Sequence, residues 1–336
     1  MIKKWVATLL CLVSLMSLTA CGGNSGNGSA STPPGSASSA DAPEQTKLQV
    51  SVTFDAMKEF VAAVGKDKVE ISTIIPAGTE AHDFEPKAQD LVKLSSAAVF
   101  VYNGLGMEGW AEEAIASADN PNLIVVEASK GADVIERETA EEHHEEDADH
   151  EEDADHETHD EDGHHHGKYD PHLWLGLEGA QTEVGNIKDA LAQADPDNKE
   201  FYEQNYAEFV AQVEELYNEY SVKFQSAEKK TFVTGHAAFG YLCRDFGLEQ
   251  NSVSDMFADG EPSAQQLADL VEYCRTTNVT TIFVEDMVSP EVSQTLASEV
   301  GAKVETIYTI ENAQDGMTYL ERMESNLVKI YESLTK

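Results

Sequence analysis

The sequence predicts an α/β protein in which the strands form parallel sheets. Short apolar runs rich in β-branched residues alternate along the chain with longer segments of helical periodicity. This alternation is typical of units in which each helix crosses back over the sheet, so that the next strand runs parallel to the last. One unusually long helical pattern lies in the middle of the chain and separates two groups of strands.

The predicted strands fall into a group before residue 138 and a group after residue 230. They are residues 48–54, 69–75, 98–102, 123–127, 231–234, 280–285 and 303–309. Amphipathic helices are predicted between them, and the clearest are residues 87–95, 108–117 and 263–274. We therefore expect one α/β lobe on each side of the long helix.

The long helical pattern begins at Asp195-Pro196-Asp197, where a proline in the first turn is typical of a helix start. It runs to about residue 225, and a helix of about 30 residues would span ~45 Å. We expect a rigid connection over residues 195–225 between an N-terminal lobe, residues 47–194, and a C-terminal lobe, residues 226–336.

The N-terminus has the pattern of a secretory signal. Lys3 and Lys4 precede an apolar run over residues 5–18, and a Thr-Ala pair follows before Cys21. The run is too short for a comfortable membrane span, so residues 1–20 are predicted to be a signal peptide. The small residues before Cys21 resemble a bacterial lipobox, in which that cysteine becomes the lipidated first residue. An ordinary signal peptide with an incidental cysteine is the alternative.

The segment after Cys21 is predicted to be a flexible tether. Residues 22–46 are mostly Gly, Ser, Ala, Asn and Pro, a composition that cannot bury a core. We expect residues 21–46 to hold the protein just outside a membrane, at a Gram-positive cell surface or in a periplasm.

The charge of the chain excludes anionic partners. The formal net charge is −40, and it becomes −42 without Lys3 and Lys4. Such a surface repels nucleic acid and anionic lipid headgroups, and it attracts cations. Nucleic acid and anionic lipid headgroups are therefore not expected as direct binding partners.

Two cysteines remain in the body once Cys11 and Cys21 are assigned to the N-terminal segment. In an exported protein Cys243 and Cys274 could form a disulfide. Two buried thiols are the alternative.

The histidines divide into a cluster and three isolated residues. The cluster lies in an acidic stretch, residues 138–167, which contains the direct repeat His-Glu-Glu-Asp-Ala-Asp. Its eight histidines are His143, His144, His150, His156, His159, His164, His165 and His166. With hardly any apolar side chains, this stretch is predicted to be an inserted, disordered loop that collects metal ions. A merely solubilising loop is the alternative.

The isolated histidines are His82, His172 and His236. The first and third follow predicted strands, where open α/β sheets bind their ligands. Glu285 and Glu311 also follow predicted strands. Three imidazoles and one carboxylate would complete a four-coordinate zinc shell.

Four motifs in series resemble one family. They are Gly-x-Glu-x-His-x-Phe-Glu-Pro at 78–86, Asp-Pro-His-x-Trp-Leu at 170–175, His-x-Ala-Phe-Gly-Tyr-Leu at 236–242 and Phe-Val-Glu at 283–285. They resemble the signatures of the zinc/manganese solute-binding lipoproteins of bacterial ABC importers. The resemblance covers residues from about 47 to 336. It implies two similar lobes, a metal in the cleft between them, and delivery to an ABC permease driven by a separate ATPase. We expect a monomer.

The resemblance also implies the ligands. His82, His172 and His236 match the family's imidazole ligands, and Glu311 matches a position where relatives supply Asp or Glu. Glu285 or a water molecule is the alternative fourth ligand.

The resemblance implies a metal as well. Manganese-binding members tend to place a carboxylate at the position of His236, so a nitrogen ligand there favours Zn(II). Glu80, Asp170 and Glu285 are candidates for carboxylates that orient the imidazoles.

Three other functions remain open. A manganese-binding paralogue would share the fold. A zinc-dependent hydrolase could use metal-activated water beside Glu285, although the chain has no His-Glu-x-x-His motif. Accessory cell adhesion is the third. We expect capture and delivery of zinc without catalysis.

Overall fold

The computed structural model describes residues 46–137, 167–255, 262–285, 290–313 and 316–336. The predicted signal peptide, Cys21, nearly all of the predicted tether and the eight clustered histidines lie outside these residues. In the part that is described, no helix is long and apolar enough to cross a bilayer.

Two parallel sheets of four strands each form the framework, as the alternation of strands and helices predicts. The first has the order β2-β1-β3-β4 and contains β1 (Leu48–Val52), β2 (Val69–Thr73), β3 (Val99–Tyr102) and β4 (Ile124–Glu127). The second has the order β6-β5-β7-β8 and contains β5 (Thr231–Thr234), β6 (Glu249–Ser252), β7 (Thr281–Val284) and β8 (Lys303–Thr306). Since the two orders are equivalent, the lobes are similar, as the resemblance implied.

The helices of the described residues cover both sheets. They are α1 (Asp55–Gly65), α2 (Ala88–Ser96), α3 (Ala111–Ser117), α4 (Leu177–Ala194), α5 (Lys199–Ser226), α6 (Gly240–Phe246), α7 (Ala264–Thr276), α8 (Pro290–Val300) and α9 (Tyr319–Thr335). The helices predicted at 87–95, 108–117 and 263–274 correspond to α2, α3 and α7.

Strand β6 was missed by the sequence prediction. Its residues, Glu-Gln-Asn-Ser, are all polar, so it lacks the apolar run that identifies a buried strand. It lies at the edge of the second sheet and pairs with β5 alone, where polar side chains can remain partly exposed. Packing therefore does not require an apolar pattern there.

The predicted long helix is confirmed as α5, which has 28 residues and is therefore ~42 Å long. The proline at its predicted start belongs to a separate turn of 3-10 helix, Pro196–Asn198. Helix α5 contacts α1 and α4 on the first sheet and α6 and α9 on the second. Its buried side chains join one hydrophobic core that includes strand residues of both sheets, such as Val50 and Phe283. A long helix therefore joins the two lobes over a continuous core.

Cys243 and Cys274 are free thiols, so the predicted disulfide is not formed. Cys243 packs in the main core, whereas Cys274 packs in a separate cluster beside β7. Burial raises the pKa of both thiols, to about 11 for Cys274 and further for Cys243. The alternative of two buried, neutral thiols therefore describes the structure.

Candidate metal centre

Four side chains from distant parts of the sequence converge at one point. His82, His172, His236 and Glu311 each present a potential ligand atom, and these atoms all lie within 4.8 Å of one another. The Nε2 atoms of His82 and His172 are 3.1 Å apart. Among the described residues this is the one group of three or more His, Cys, Asp and Glu side chains with such geometry.

The fold delivers these side chains from the carboxyl ends of the strands. His82 lies in the loop after β2, His236 directly after β5, and Glu311 in the turn after β8. His172 immediately precedes a short 3-10 helix, Leu173–Leu175, that leads into α4. The carboxyl ends of parallel strands meet at one edge of a sheet. Two such edges therefore face each other across the centre.

The centre is closed except beside one ligand. His172, His236 and Glu311 are buried, with 0%, 3% and 5% of their surfaces exposed, whereas His82 is half-buried. Solvent therefore reaches the centre beside His82. The low exposure of His172, His236 and Glu311 strengthens the electrostatic interactions among these three side chains, because little water screens them.

Asp170, one of the carboxylates that the sequence offered as candidates, hydrogen-bonds the ring of His172. Its Oδ1 atom accepts hydrogen bonds of 2.9 Å from both the backbone N–H and the ring Nδ1 of His172. The Nδ1 atom is therefore the donor, and Nε2 is left as the lone-pair nitrogen that faces His82. Burial lowers the pKa of His172, which favours the neutral imidazole that metal ligation needs.

Glu285 lies behind His236 and outside the group of four converging atoms. Its Oε1 atom is 3.6 Å from Nδ1 of His236 and accepts hydrogen bonds from the backbone N–H groups of Gly235 and His236, at 3.1 and 3.2 Å. Burial alone would lower the pKa of His236. Glu285, followed by the charges of Glu311 and Glu80, outweighs burial and raises the pKa to about 9. Without a metal ion, His236 therefore carries a proton at neutral pH.

The short distance between Gly235 and Glu285 requires a glycine. A Cβ atom at position 235 would lie 2.0 Å from Oε2 of Glu285. The backbone of the His236 turn can approach the carboxylate only because no side chain intervenes.

Glu80 and Glu311 form a pair of carboxyl groups at the centre. Burial, followed by the charge of Glu80, raises the pKa of Glu311 above its usual range. Glu80 itself accepts a hydrogen bond of 3.1 Å from the backbone N–H of Ala81. Its predicted role in orienting an imidazole stays a prediction.

Two supporting residues were not predicted as functional. The hydroxyl of Tyr241 donates a 2.7 Å hydrogen bond to the Asp170 carbonyl and accepts one of 3.2 Å from the backbone N–H of Ile135. Asn103 donates a 2.9 Å hydrogen bond to the carbonyl of Pro171, next to His172. Asn103 follows β3, so its position at a strand end was the available signal. Tyr241 gave no signal, because an aromatic residue within a helix more often packs in the core.

The sequence profile of the family described as ZnuA, zinc-uptake complex component A, periplasmic, matches residues 50–333. The chain belongs to this family. The resemblance that the four motifs predicted is therefore confirmed.

Two curated relatives of this ZnuA-family chain agree with the assignment. The chain is 43% identical over 292 residues to a putative metal-binding protein of Treponema pallidum, covering 86% of this chain and 88% of the relative. It is 40% identical over 339 residues to the high-affinity zinc uptake system protein ZnuA of Bacillus subtilis, covering 99% of each chain.

A solved structure shows the same architecture. The laminin-binding protein Lmb of Streptococcus agalactiae is 32% identical in sequence, with a TM-score of 0.73 over 86% of this chain and 100% of that one. Lmb is described as bifunctional, with adhesin and metal-transporting activity.

Proposed function

We propose that this ZnuA-family protein is the extracytoplasmic zinc-binding component of an ABC importer. It captures Zn(II) between its lobes and delivers the ion to a membrane permease that a cytoplasmic ATPase drives. The convergence of three imidazoles and one carboxylate within 4.8 Å carries this proposal. Nothing in capture and delivery requires a chemical step, and we propose no enzymatic activity.

The proposed ligands are His82, His172, His236 and Glu311. Three nitrogen atoms and one oxygen atom match the donors of four-coordinate zinc sites. Glu311 is preferred to Glu285 as the fourth ligand because it belongs to the converging group. Glu285 also already accepts two backbone hydrogen bonds behind His236.

The donor set favours zinc over manganese. Manganese prefers oxygen ligands, whereas imidazole suits zinc. Asp170 and Glu285 would hold the two buried imidazoles from behind, and outer carboxylates of this kind strengthen metal ligands. We retain Glu80 as a further candidate for that role.

The regions outside the described residues have proposed roles that rest on sequence. Residues 1–20 would direct export, and Cys21 would carry the lipid that attaches residues 22–46 to the membrane. The eight histidines of residues 138–167 would bind additional zinc weakly and raise its local supply. We propose a monomer with lobe boundaries at residues 47–194 and 226–336, on either side of the connection at 195–225.

Adhesion is a second candidate function, because Lmb, which is described as an adhesin, shares the fold. Immobilised laminin is the probe. Saturable binding by the full chain would support adhesion, and binding no greater than that of an unrelated acidic protein would exclude it.

The test of the main proposal is competition titration of the metal-free full chain with Zn(II) and Mn(II) against chelators. We expect one tight zinc site and much weaker manganese binding. Native mass spectrometry should count several zinc ions on the full chain and fewer after deletion of residues 138–167, with one tight ion retained. Tighter binding of manganese, or loss of the tight site on deletion, would contradict the proposal.

A further inference from the structure

The turn that carries Glu311 has an unfavourable backbone conformation. Ile310, the preceding residue, has φ of +61° and is buried. A β-branched residue rarely adopts the left-handed region, because its side chain crowds its own backbone. Such a conformation persists only where surrounding contacts hold it. The turn 310–312 must therefore be fixed from outside.

A fully buried arginine makes one of these contacts. Arg322 lies in the first turns of α9 with 0% of its surface exposed. Its Nη1 atom donates a 2.9 Å hydrogen bond to the carbonyl of Asn312, and its Nη2 atom donates a 2.7 Å hydrogen bond to Oδ2 of Asp55. The planar guanidinium thus joins the turn to a carboxylate of the other lobe, a geometry that a lysine cannot reproduce.

Asp55 makes the second contact with the turn. It is the first residue of α1, at the carboxyl end of β1, and its backbone N–H donates a 3.2 Å hydrogen bond to the carbonyl of Glu311. The carbonyls of Glu311 and Asn312 are therefore both held by the Arg322–Asp55 pair. The side chain of Asn312 extends the network, because its Oδ1 accepts a 2.7 Å hydrogen bond from Gly78, in the loop that carries His82.

We propose that the Arg322–Asp55 pair positions Glu311 for zinc and brings the turn of the C-terminal lobe against the N-terminal lobe. The inference rests on the proposed function. Arg322 does not contact the converging ligand atoms and acts through the backbone of residues 311 and 312. A buried ion pair is often no more stabilising than apolar residues of the same volume, so its use here favours a role in geometry.

The test is a double-mutant cycle on the full chain, with zinc affinity measured by chelator competition. The variants are Arg322→Met, Glu311→Gln and the combination of the two. We expect Arg322→Met to weaken zinc binding about 10–100-fold, as loss of an orienting partner commonly does. In the Glu311→Gln background the same substitution should change the affinity by no more than about twofold, because residues that act as a unit are not additive.

Two further variants separate positioning from general stability. Leu327→Ala removes a fully buried side chain further along α9, so it should lower the thermal midpoint and leave zinc affinity unchanged. Arg322→Lys keeps the charge and one donor group, and its zinc affinity should lie between those of the wild type and Arg322→Met. This milder variant also provides the measurement if Arg322→Met does not fold.

Wild-type affinity in both Arg322 variants would overturn the inference. An equal loss of affinity with and without Glu311 would overturn it as well, since Arg322 would then act on the whole fold. Failure of the proposed function would give a different result from failure of this inference. In that case the wild type would lack a tight zinc site, or Glu311→Gln would bind zinc as tightly as the wild type.

Discussion

Zinc binding should be strongly pH-dependent because a ligand must first lose a proton. In the metal-free protein burial acts to lower the pKa of His236, but Glu285 and, after it, Glu311 and Glu80 raise it from 6.5 to about 9. Below pH 9 this imidazole is therefore protonated, and a zinc ion must displace the proton to bind. The pKa of Glu311 is also raised, by burial and by Glu80, so its carboxyl adds a second displaced proton over part of the range.

The magnitude follows from the number of protons displaced. One proton per zinc ion makes the affinity rise about tenfold for each pH unit, which corresponds to about 1.4 kcal/mol. Between pH 6.5 and pH 8.5 we therefore expect the dissociation constant to fall at least about 100-fold, and further where Glu311 also releases a proton. The dependence should level off above pH 9, where His236 is already neutral.

The stability of the metal-free protein should change in the opposite direction. The folded pKa of His236 lies above the unfolded one, so the stabilisation by its proton is complete below pH 6.5 and is lost as the pH rises through about 9. Bound zinc replaces that proton. From pH 6.5 to pH 9 the metal-free protein therefore becomes less stable while zinc binding becomes tighter. Saturating zinc should raise the thermal midpoint by more as the pH rises over this range.

Two measurements check the prediction. Chelator competition at pH 6.5, 7.5 and 8.5 gives the affinities, and calorimetry in buffers of different ionisation enthalpy counts the released protons. Glu285→Gln should lower proton release at pH 8, because it removes the largest of the charges that raise the pKa of His236 while keeping an oxygen acceptor for the backbone N–H groups. Glu299→Gln, an exposed change on α8, is the matched control. An affinity that is constant with pH, or proton release unaffected by Glu285→Gln, would show that zinc does not displace a proton from His236.

Three further substitutions test the surroundings of the centre. Gly235→Ala would place a Cβ atom 2.0 Å from the Glu285 carboxylate, so zinc affinity measured by chelator competition should fall about tenfold or more. His236→Glu should shift preference from zinc toward manganese in a paired titration, and unchanged selectivity would contradict the nitrogen-ligand argument. Tyr241→Phe leaves the buried carbonyl of Asp170 without its donor, so unfolding should require about 1–3 kcal/mol less; an unchanged denaturation midpoint would contradict that assignment.

The parts of the fold that the sequence predicted are those whose pattern is local. Buried parallel strands need apolar runs, and α5 needs helical periodicity on one face, so both are visible in the residues themselves. Strand β6 is polar and pairs on one side only, and therefore had no such pattern. The Cys243–Cys274 disulfide was predicted wrongly, since composition cannot show that two thiols pack in different clusters.

The amino-acid sequence alone was sufficient to predict the class of fold, the family through four ordered motifs, and the histidines proposed as ligands. These follow from residue type and from short spacings along the chain. The resemblance already favoured Glu311 over Glu285 as the fourth ligand, but only the tertiary structure placed Glu311 among the converging atoms and Glu285 behind His236. It also revealed Arg322 and Asp55, which are 267 residues apart in sequence. Ligand geometry and pKa depend on how far apart the strand ends of the two lobes lie and on how deeply their side chains are buried, and only packing sets these quantities.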